Sequence, residues 1–321
     1  SRTGAALVMD VGSSRVVEQL QTMLDQREIA SIDGLWVTHY HHDHTDGIVE
    51  FQKTFDCPCM TDQKLADVLI RPHAWRLPCL IPDPIKVDRP LRDGETWQWH
   101  EFKLTSFAYP GQTLYHAALL VEVDAKRMLF IGDSHTPGGL DDYCAYNRNL
   151  LGRNVGFQYC LSLLERLQPT HLFNCHVDEA FTFTADELSQ MRQKLDERER
   201  LFDALAPWPH ANFATDPSWV RLDPYRQEVR PGATVPATVV VTNHAPSAMS
   251  CSCRFVIPST WGKDKSQWRQ VSIAPQREQT IPMTFRVPSE VTKGRHVITL
   301  DVQFGDKSLP SFAECIVDVV D

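Results

Sequence analysis

Thr38-His39-Tyr40-His41-His42-Asp43-His44 decides how the rest of this 321-residue chain is read. From His39 onward, five of six side chains are imidazoles or a carboxylate, all able to ligate a metal. The run closes an apolar stretch, residues 34–38, that reads as a buried strand. A solvated turn gives no reason for an apolar strand to end in so many imidazoles, whose joint protonation is costly. Imidazole nitrogen suits zinc and iron, and the carboxylate adds a hard oxygen for a second ion.

Working outward, residues 6–11 read as a strand ending at Asp10, and residues 16–27 as an amphipathic helix with Val17, Leu20, Met23 and Leu24 on one face. Strand and helix signals alternate over the first two hundred residues, which argues α/β layering. A proline-dense loop carries Pro72, Pro78, Pro82, Pro84 and Pro90. Strand-like runs follow at 96–100, 104–108, 117–123 and 128–131, then a helix over 156–167 that stops before Pro169, and a strand at 170–174. Thr184-Ala185-Asp186-Glu187 has the spacing of a capping box and opens a helix to Leu205. Ala206-Pro207-Trp208-Pro209 ends it as a stiff linker. Beyond Asp216-Pro217 come seven short β-branched segments separated by turn clusters, the pattern of an immunoglobulin-like β-sandwich. The expected division is 1–206, a linker at 207–217, and an all-β domain at 218–321.

Charge is uneven along the chain. Lys and Arg total 32 against 41 Asp and Glu, a net charge of −9. Residues 1–216 hold 20 basic and 31 acidic side chains, and residues 217–321 hold 12 and 10. A segment at −11 repels phosphate backbones, so nucleic acid is not an expected partner. With 42% hydrophobic and 23% charged residues, a disordered or collagenous chain is excluded. No apolar run approaches the roughly 18 residues of a membrane span. The nine cysteines include no CxxC pair; most read as buried small hydrophobes, with Cys57-Pro58-Cys59 and Cys251-Ser252-Cys253 open to a disulfide or metal role. Ser1-Arg2-Thr3-Gly4 opens no signal-peptide h-region, and export is slightly favoured over the cytoplasm.

The stretch His39 to His44 resembles the HxHxDH signature of the metallo-β-lactamase superfamily. Three more motifs follow in family order. Pro110-Gly111-Gln112-Thr113-Leu114-Tyr115-His116 resembles PGHTPGH, Phe130-Ile131-Gly132-Asp133 resembles the strand-end Gly-Asp, and Phe173-Asn174-Cys175-His176 resembles the late strand ending in a histidine. The resemblance covers residues 5 to about 205 and implies an αββα sandwich, with the family's first hairpin missing ahead of Asp10. It departs at Gln112, at Asp46-Gly47 in place of Gly-Gly, and at Asn174-Cys175 in place of Pro-Gly. It implies two divalent ions, zinc by preference with iron or manganese as alternatives. His39, His41 and His116 would hold the first, and Asp43, His44 and His176 the second. Asp133 would bridge them, Asp10 would orient the ligand loop from behind, and Asp43 would also orient the attacking hydroxide.

Other residues are read from position. His135, two residues past Asp133, is a candidate proton donor at the mouth of the site. Tyr143, Tyr146 and Arg148 are candidate substrate contacts, and His73, Trp75 and Arg76 a candidate pocket wall. Cys175 is read as a buried thiol, because neighbours on a strand face opposite ways. The sandwich histidines, His244 and His296, have no acidic or cysteine partner at ligand spacing, so that domain is expected to supply no ligand and to contact glycan or protein. The expected activity is metal-dependent hydrolysis of a small ester, lactone or thioester. A mononuclear iron dioxygenase of the persulfide type, and a binding protein with a structural metal, are the alternatives.

Overall fold

The computed structural model describes residues 1–142, 146–262 and 266–321. Tyr143, a candidate substrate contact, and Cys144, Lys263 and Lys265 lie outside the described residues. The chain divides into two compact units, one of residues 1–72 and 77–201, the other of residues 73–76 and 202–321.

In the first unit β1 (Ala5–Met9), β2 (Ser31–Trp36), β3 (Cys59–Asp62) and β4 (Arg89–Leu91) form an all-parallel sheet in that order. The crossovers carry α1 (Ser14–Asp25), α2 (His42–Thr45), α3 (Ile48–Thr54) and α4 (Gln63–Ile70). A second sheet is built from β5 (Thr96–Trp99), β6 (Phe102–Ala108), β7 (Ala117–Val123) and β8 (Lys126–Phe130) as antiparallel neighbours, with β11 (His171–Phe173) added parallel to β8. A short ribbon of β9 (His135–Thr136) and β10 (Gly139–Leu140) separates β8 from α5 (Gly156–Leu167).

Alternation along the strands makes the layers. Trp36, Met60 and Leu91 of the first sheet meet Leu104, Ala117, Leu119 and Val121 of the second in one buried cluster. The opposite face of the second sheet, through Phe107, Ala118, Leu120 and Leu129, packs on Phe157, Leu161 and Leu164 of α5 and on Leu188, Met191 and Leu195 of α6 (Ala185–Leu205). Mixed α/β layering of this kind is what the strand and helix alternation implies. The capping box at α6 forms: Thr184 N donates to Glu187 Oε2 at 2.8 Å, and Glu187 N to Thr184 Oγ1 at 3.3 Å. Helix α4 was not expected from the sequence. Asp62 caps it by accepting from Lys64 N, and Leu65, Val68 and Leu69 are buried.

The second unit opens with the one-turn α7 (Asn212–Thr215). One three-stranded sheet joins β12 (Val220–Asp223), β14 (Thr234–Thr242) and β17 (Glu278–Arg286). A five-stranded sheet runs β13 (Arg226–Val229), β19 (Lys307–Val319), β18 (Gly294–Phe304), β15 (Met249–Val256) and β16 (Arg269–Ile273). Leu222, Val239 and Ile281 from one sheet and Phe255, Leu300 and Val317 from the other share one core, so the unit is a β-sandwich. Among the described residues it has eight strands where seven segments were expected. The extra one, β12, alternates Val220 and Leu222 inward with Arg221 and Asp223 outward over only four residues, too short a run to stand out. No helix among the described residues is long and apolar enough to cross a membrane.

Candidate metal centre

The parallel pairing of β1 and β2 brings their C-terminal ends together, with Met9 opposite Trp36. Asp10 follows in a left-handed conformation (φ 57°) that a residue with a side chain rarely adopts. The twist turns its carboxylate back onto the second strand's exit. Oδ1 accepts from Thr38 N at 2.7 Å, and Oδ2 accepts from Thr38 Oγ1 at 2.6 Å and His44 Nδ1 at 2.9 Å. A carboxylate only accepts, so His44 carries a proton on Nδ1, and Nε2, which faces the Asp133 carboxylate, is the nitrogen that would turn to an ion on giving up its own proton.

The second sheet supplies the facing residues. His116 stands one residue before β7, and Ala117 N donates to Thr38 O at 2.7 Å, pinning the two sheets together there. Phe130 and Phe173 are register partners in the parallel pair of β8 and β11. Asp133 and His176 each lie three residues beyond, so the same step past neighbouring strands places them side by side. Gly132 makes this approach possible. Its φ is +49°, and a Cβ there would lie 2.6 Å from His116 Nε2.

Asp133 Oδ2 is 3.1 Å from His44 Nε2, 3.3 Å from His176 Nε2 and 3.8 Å from His39 Nε2. Asp43 Oδ2 is 3.3 Å from His176 Nε2 and 3.8 Å from His44 Nε2. One ligand atom from each of Asp43, His44, Asp133 and His176 falls within 4.8 Å of the others. His39 Nε2 is 3.1 Å from His41 Nδ1, and the His39 ring stacks on His116 with centroids 4.8 Å apart. The structure therefore brings all seven sequence-derived ligand candidates into one cluster, while His42 points to solvent.

The electrostatics suit cations. Burial holds the His39 and His41 imidazoles below their ordinary range and pulls His116 down to about 3, so their lone pairs are not spent on protons. His44 goes the other way: burial opposes it, but hydrogen bonds to Asp10 and Asp133 push it well up. Burial of Asp133 is likewise outweighed by the imidazoles around it, which hold its carboxyl below the usual range. Thr38 Oγ1 spends its proton on Asp10 and lies 3.1 Å from His39 Nδ1, which must therefore donate to it, leaving a lone pair on His39 Nε2. Both nitrogens of His116 and Oδ1 of Asp133 are buried with no protein hydrogen-bond partner, a costly state unless a ligand satisfies them. The donor set thus fits divalent ions.

The remaining candidates fall elsewhere. His135 is fully buried rather than at an open mouth, with Nδ1 3.2 Å from Tyr109 Oη and its ring against Phe157 and Phe183. Burial lowers its pKa to about 3, so it holds no proton to donate as an imidazolium. Tyr146 is 71% exposed, and Arg148 is buried, donating to Tyr115 Oη at 2.7 Å. Cys175 lies past the end of β11, where strand alternation has lapsed. Its Sγ donates to Asp10 Oδ2 at 3.2 Å, and burial of the sulfur with that carboxylate beside it raises the thiol to about 12. Asn174 accepts from His176 N at 2.6 Å and donates to His135 O at 3.0 Å. Sequence reasoning missed Thr38, whose place directly before the histidine run was its one signal, and Asn147, which had none. Trp75 and Arg76 cluster with the second unit, where Trp75 meets Arg221 and Arg76 pairs with Glu314. In that unit His244 does have an acidic partner, Asp216 at 2.9 Å, though no third ligand-type group joins them among the described residues.

Residues 2–150 match the family model described as the metallo-beta-lactamase superfamily. A hydroxyacylglutathione hydrolase of Aeromonas hydrophila is 32% identical over 130 residues, 40% of this chain and 41% of that protein. One from Shewanella loihica is 32% identical over 177 residues, 53% of this chain and 55% of the relative. The chain thus spans about half the length of the curated relatives it matches. Among solved structures, a metallo-β-lactamase of Cronobacter sakazakii with a HARLDQ motif aligns with a TM-score of 0.48 and 17% identity, over 64% of this chain and 82% of that one. MIM-1 of Novosphingobium pentaromativorans aligns at 0.48 and 15% identity, over 62% and 82%.

Proposed function

We propose that this chain, which carries a metallo-β-lactamase superfamily domain over residues 2–150, is a metal-dependent hydrolase of small thioesters. The observation that carries the reading is the convergence of His39, His41, Asp43 and His44 from one sheet on His116, Asp133 and His176 from the other. In this assignment His39, His41 and His116 would hold one ion and Asp43, His44 and His176 a second, with Asp133 available to both. Bound there, two such ions, zinc by preference, would supply a water of lowered pKa and polarisation of an acyl carbonyl.

The protein's own groups do the rest. Asp10 keeps His44 aimed inward, and Asp133 places full negative charge at the floor of the centre, where its side chain is buried. Asp43 and His176 have side chains 39% and 54% exposed, so substrate approaches from their side. Asp43 is then the carboxylate placed to hold the attacking water by its proton. The preference for a thioester rests on the relatives named hydroxyacylglutathione hydrolase, which match this domain. The acidic domain disfavours polyanionic substrates such as nucleic acid. The β-sandwich is assigned no part in the chemistry, and a docking role toward glycan or protein is left to it.

The test is elemental analysis of purified chain together with a substrate panel. Two metal ions per chain and turnover of a hydroxyacylglutathione thioester in preference to lactones, β-lactams and phosphodiesters are expected. One iron per chain with oxygen consumption on a persulfide would replace the hydrolase with a dioxygenase.

A further inference from the structure

We infer that Asn147 is a positioning residue: its amide oxygen fixes the tautomer of His41, and the loop it sits on supports the His39, His41 and His116 half of the centre. The inference rests on the ligand assignment proposed above. Asn147 is fully buried, and its Oδ1 accepts from Tyr40 Oη at 2.9 Å and lies 3.1 Å from His41 Nε2. With the amide oriented so that Oδ1 faces both groups and Nδ2 has no protein partner, the oxygen cannot donate, so His41 Nε2 carries the hydrogen and Nδ1 the lone pair. That Nδ1 is the atom 3.1 Å from His39 Nε2, which the Thr38 contact also leaves with a lone pair. Two lone pairs face each other across this gap, an arrangement that a cation held by both would stabilise.

The loop is built for the task. Tyr146 (φ 67°) and Arg148 (φ 59°) flank Asn147 in left-handed conformations, strain of the kind that persists only where neighbouring contacts enforce it. Three contacts from this segment go to the turn that delivers His116. Leu114 N donates to Asn147 O at 3.3 Å, Asn149 Nδ2 to Gln112 O at 2.6 Å, and Arg148 Nη1 to Tyr115 Oη at 2.7 Å. One short segment thus touches His41 directly and secures the approach to His116, whereas Asp10 secures His44. Asp10 also reaches His39, through the Thr38 hydroxyl, but not His41 or His116.

The experiment reads the tautomer first, by long-range ¹H–¹⁵N spectra of metal-free protein labelled at histidine. Wild-type His41 is expected as the Nε2–H form, and Asn147→Leu, which keeps the side-chain shape and removes the acceptor, is expected to lose that preference. Asn147→Asp, which keeps an acceptor oxygen, should retain it. Zinc titration should then show one of two sites weakened about 10–100-fold in Asn147→Leu, the usual effect of removing such a partner, with the other unchanged. A wild-type His41 in the Nδ1–H form overturns the inference without any variant, so a misfolded Asn147→Leu does not shield it. Unchanged tautomer and affinity in a folded Asn147→Leu overturn it as well. His41→Ala separates the two levels: if it still binds two zinc ions tightly, the ligand assignment itself has failed, whereas loss of one zinc in His41→Ala alone rejects only the role of Asn147.

Discussion

His44 Nδ1 donates to Asp10 Oδ2 across 2.9 Å, while its Nε2 lies 3.1 Å from Asp133 Oδ2. The imidazole is held between a carboxylate that fixes its proton and one that shares its task. Asp10 also takes both the amide and the hydroxyl of Thr38, so a single left-handed residue at the end of β1 sets the exit of β2 and one ring of the motif that follows.

Replacing Asp10 with asparagine should therefore act on His44 directly and on His39 only through Thr38. The amide offers one oxygen where the carboxylate serves three donors from the two oxygens plus Cys175 Sγ. Affinity for the zinc assigned to His44 should fall about 10–100-fold, with the other ion weakened less. Stepwise zinc titration followed by native mass spectrometry checks this, and equal weakening of both ions would contradict it.

A second prediction concerns the β-sandwich at low pH. Asp318 accepts from Arg295 Nε at 3.0 Å and Arg226 Nε at 2.5 Å, and these contacts hold its carboxyl below the usual range. A carboxylate with a depressed folded pKa contributes stability above its unfolded pKa, about 3.9. That contribution fades as pH falls through the lower, folded value. Asp318→Asn should lower stability at pH 7 by about 1 kcal/mol, since both arginines are substantially solvent-exposed. The gap to wild type should close as pH falls below about 4, and denaturant melts at pH 7 and pH 3 measure it.

The motif run was legible because ligand chemistry concentrates in it, and the strand pattern was legible because β-branched residues alternate. His135 was misjudged for a physical reason. Sequence distance from Asp133 says nothing of side-chain direction, and the β9–β10 ribbon turns it inward against Tyr109 and Phe157. Cys175, read as a buried thiol, is an exposed residue whose Sγ reaches back to Asp10, because strand alternation ends with β11 at Phe173. Asn147 was invisible because its partners, Tyr40 and His41, lie more than a hundred residues away, a separation no local pattern encodes.

Asp133 and His135 should separate cleanly on substitution. Asp133→Asn removes the charge at the floor of the cluster without emptying space, so metal content should drop while the fold survives. His135→Ala instead removes a buried ring, which costs about 2–4 kcal/mol in a site that cannot collapse, with metal content retained. Metal stoichiometry and thermal melts on both variants decide it. Metal loss in His135→Ala with an unchanged melt would return that residue to the site.

Gly132→Ala should reach the centre without altering any ligand. Its left-handed φ of +49° already disfavours a side chain, by roughly 1–2 kcal/mol. The added methyl would also stand 2.6 Å from His116 Nε2 and 2.7 Å from Thr38 Oγ1, distances at which one of them must move. His116 is the freer of the two, because its nitrogens have no protein partner while Thr38 is tied to Asp10. The ring should therefore leave its stack on His39, and with it the third ligand of the first ion. The expected result is a folded protein that binds one zinc tightly and the other weakly, with turnover falling in proportion to the lost ion and recovering at raised zinc concentration. Titration of zinc against activity distinguishes this from simple destabilisation, in which added zinc would restore neither the second site nor the rate. Two tight ions in a folded Gly132→Ala would mean that His116 does not face the centre as a ligand.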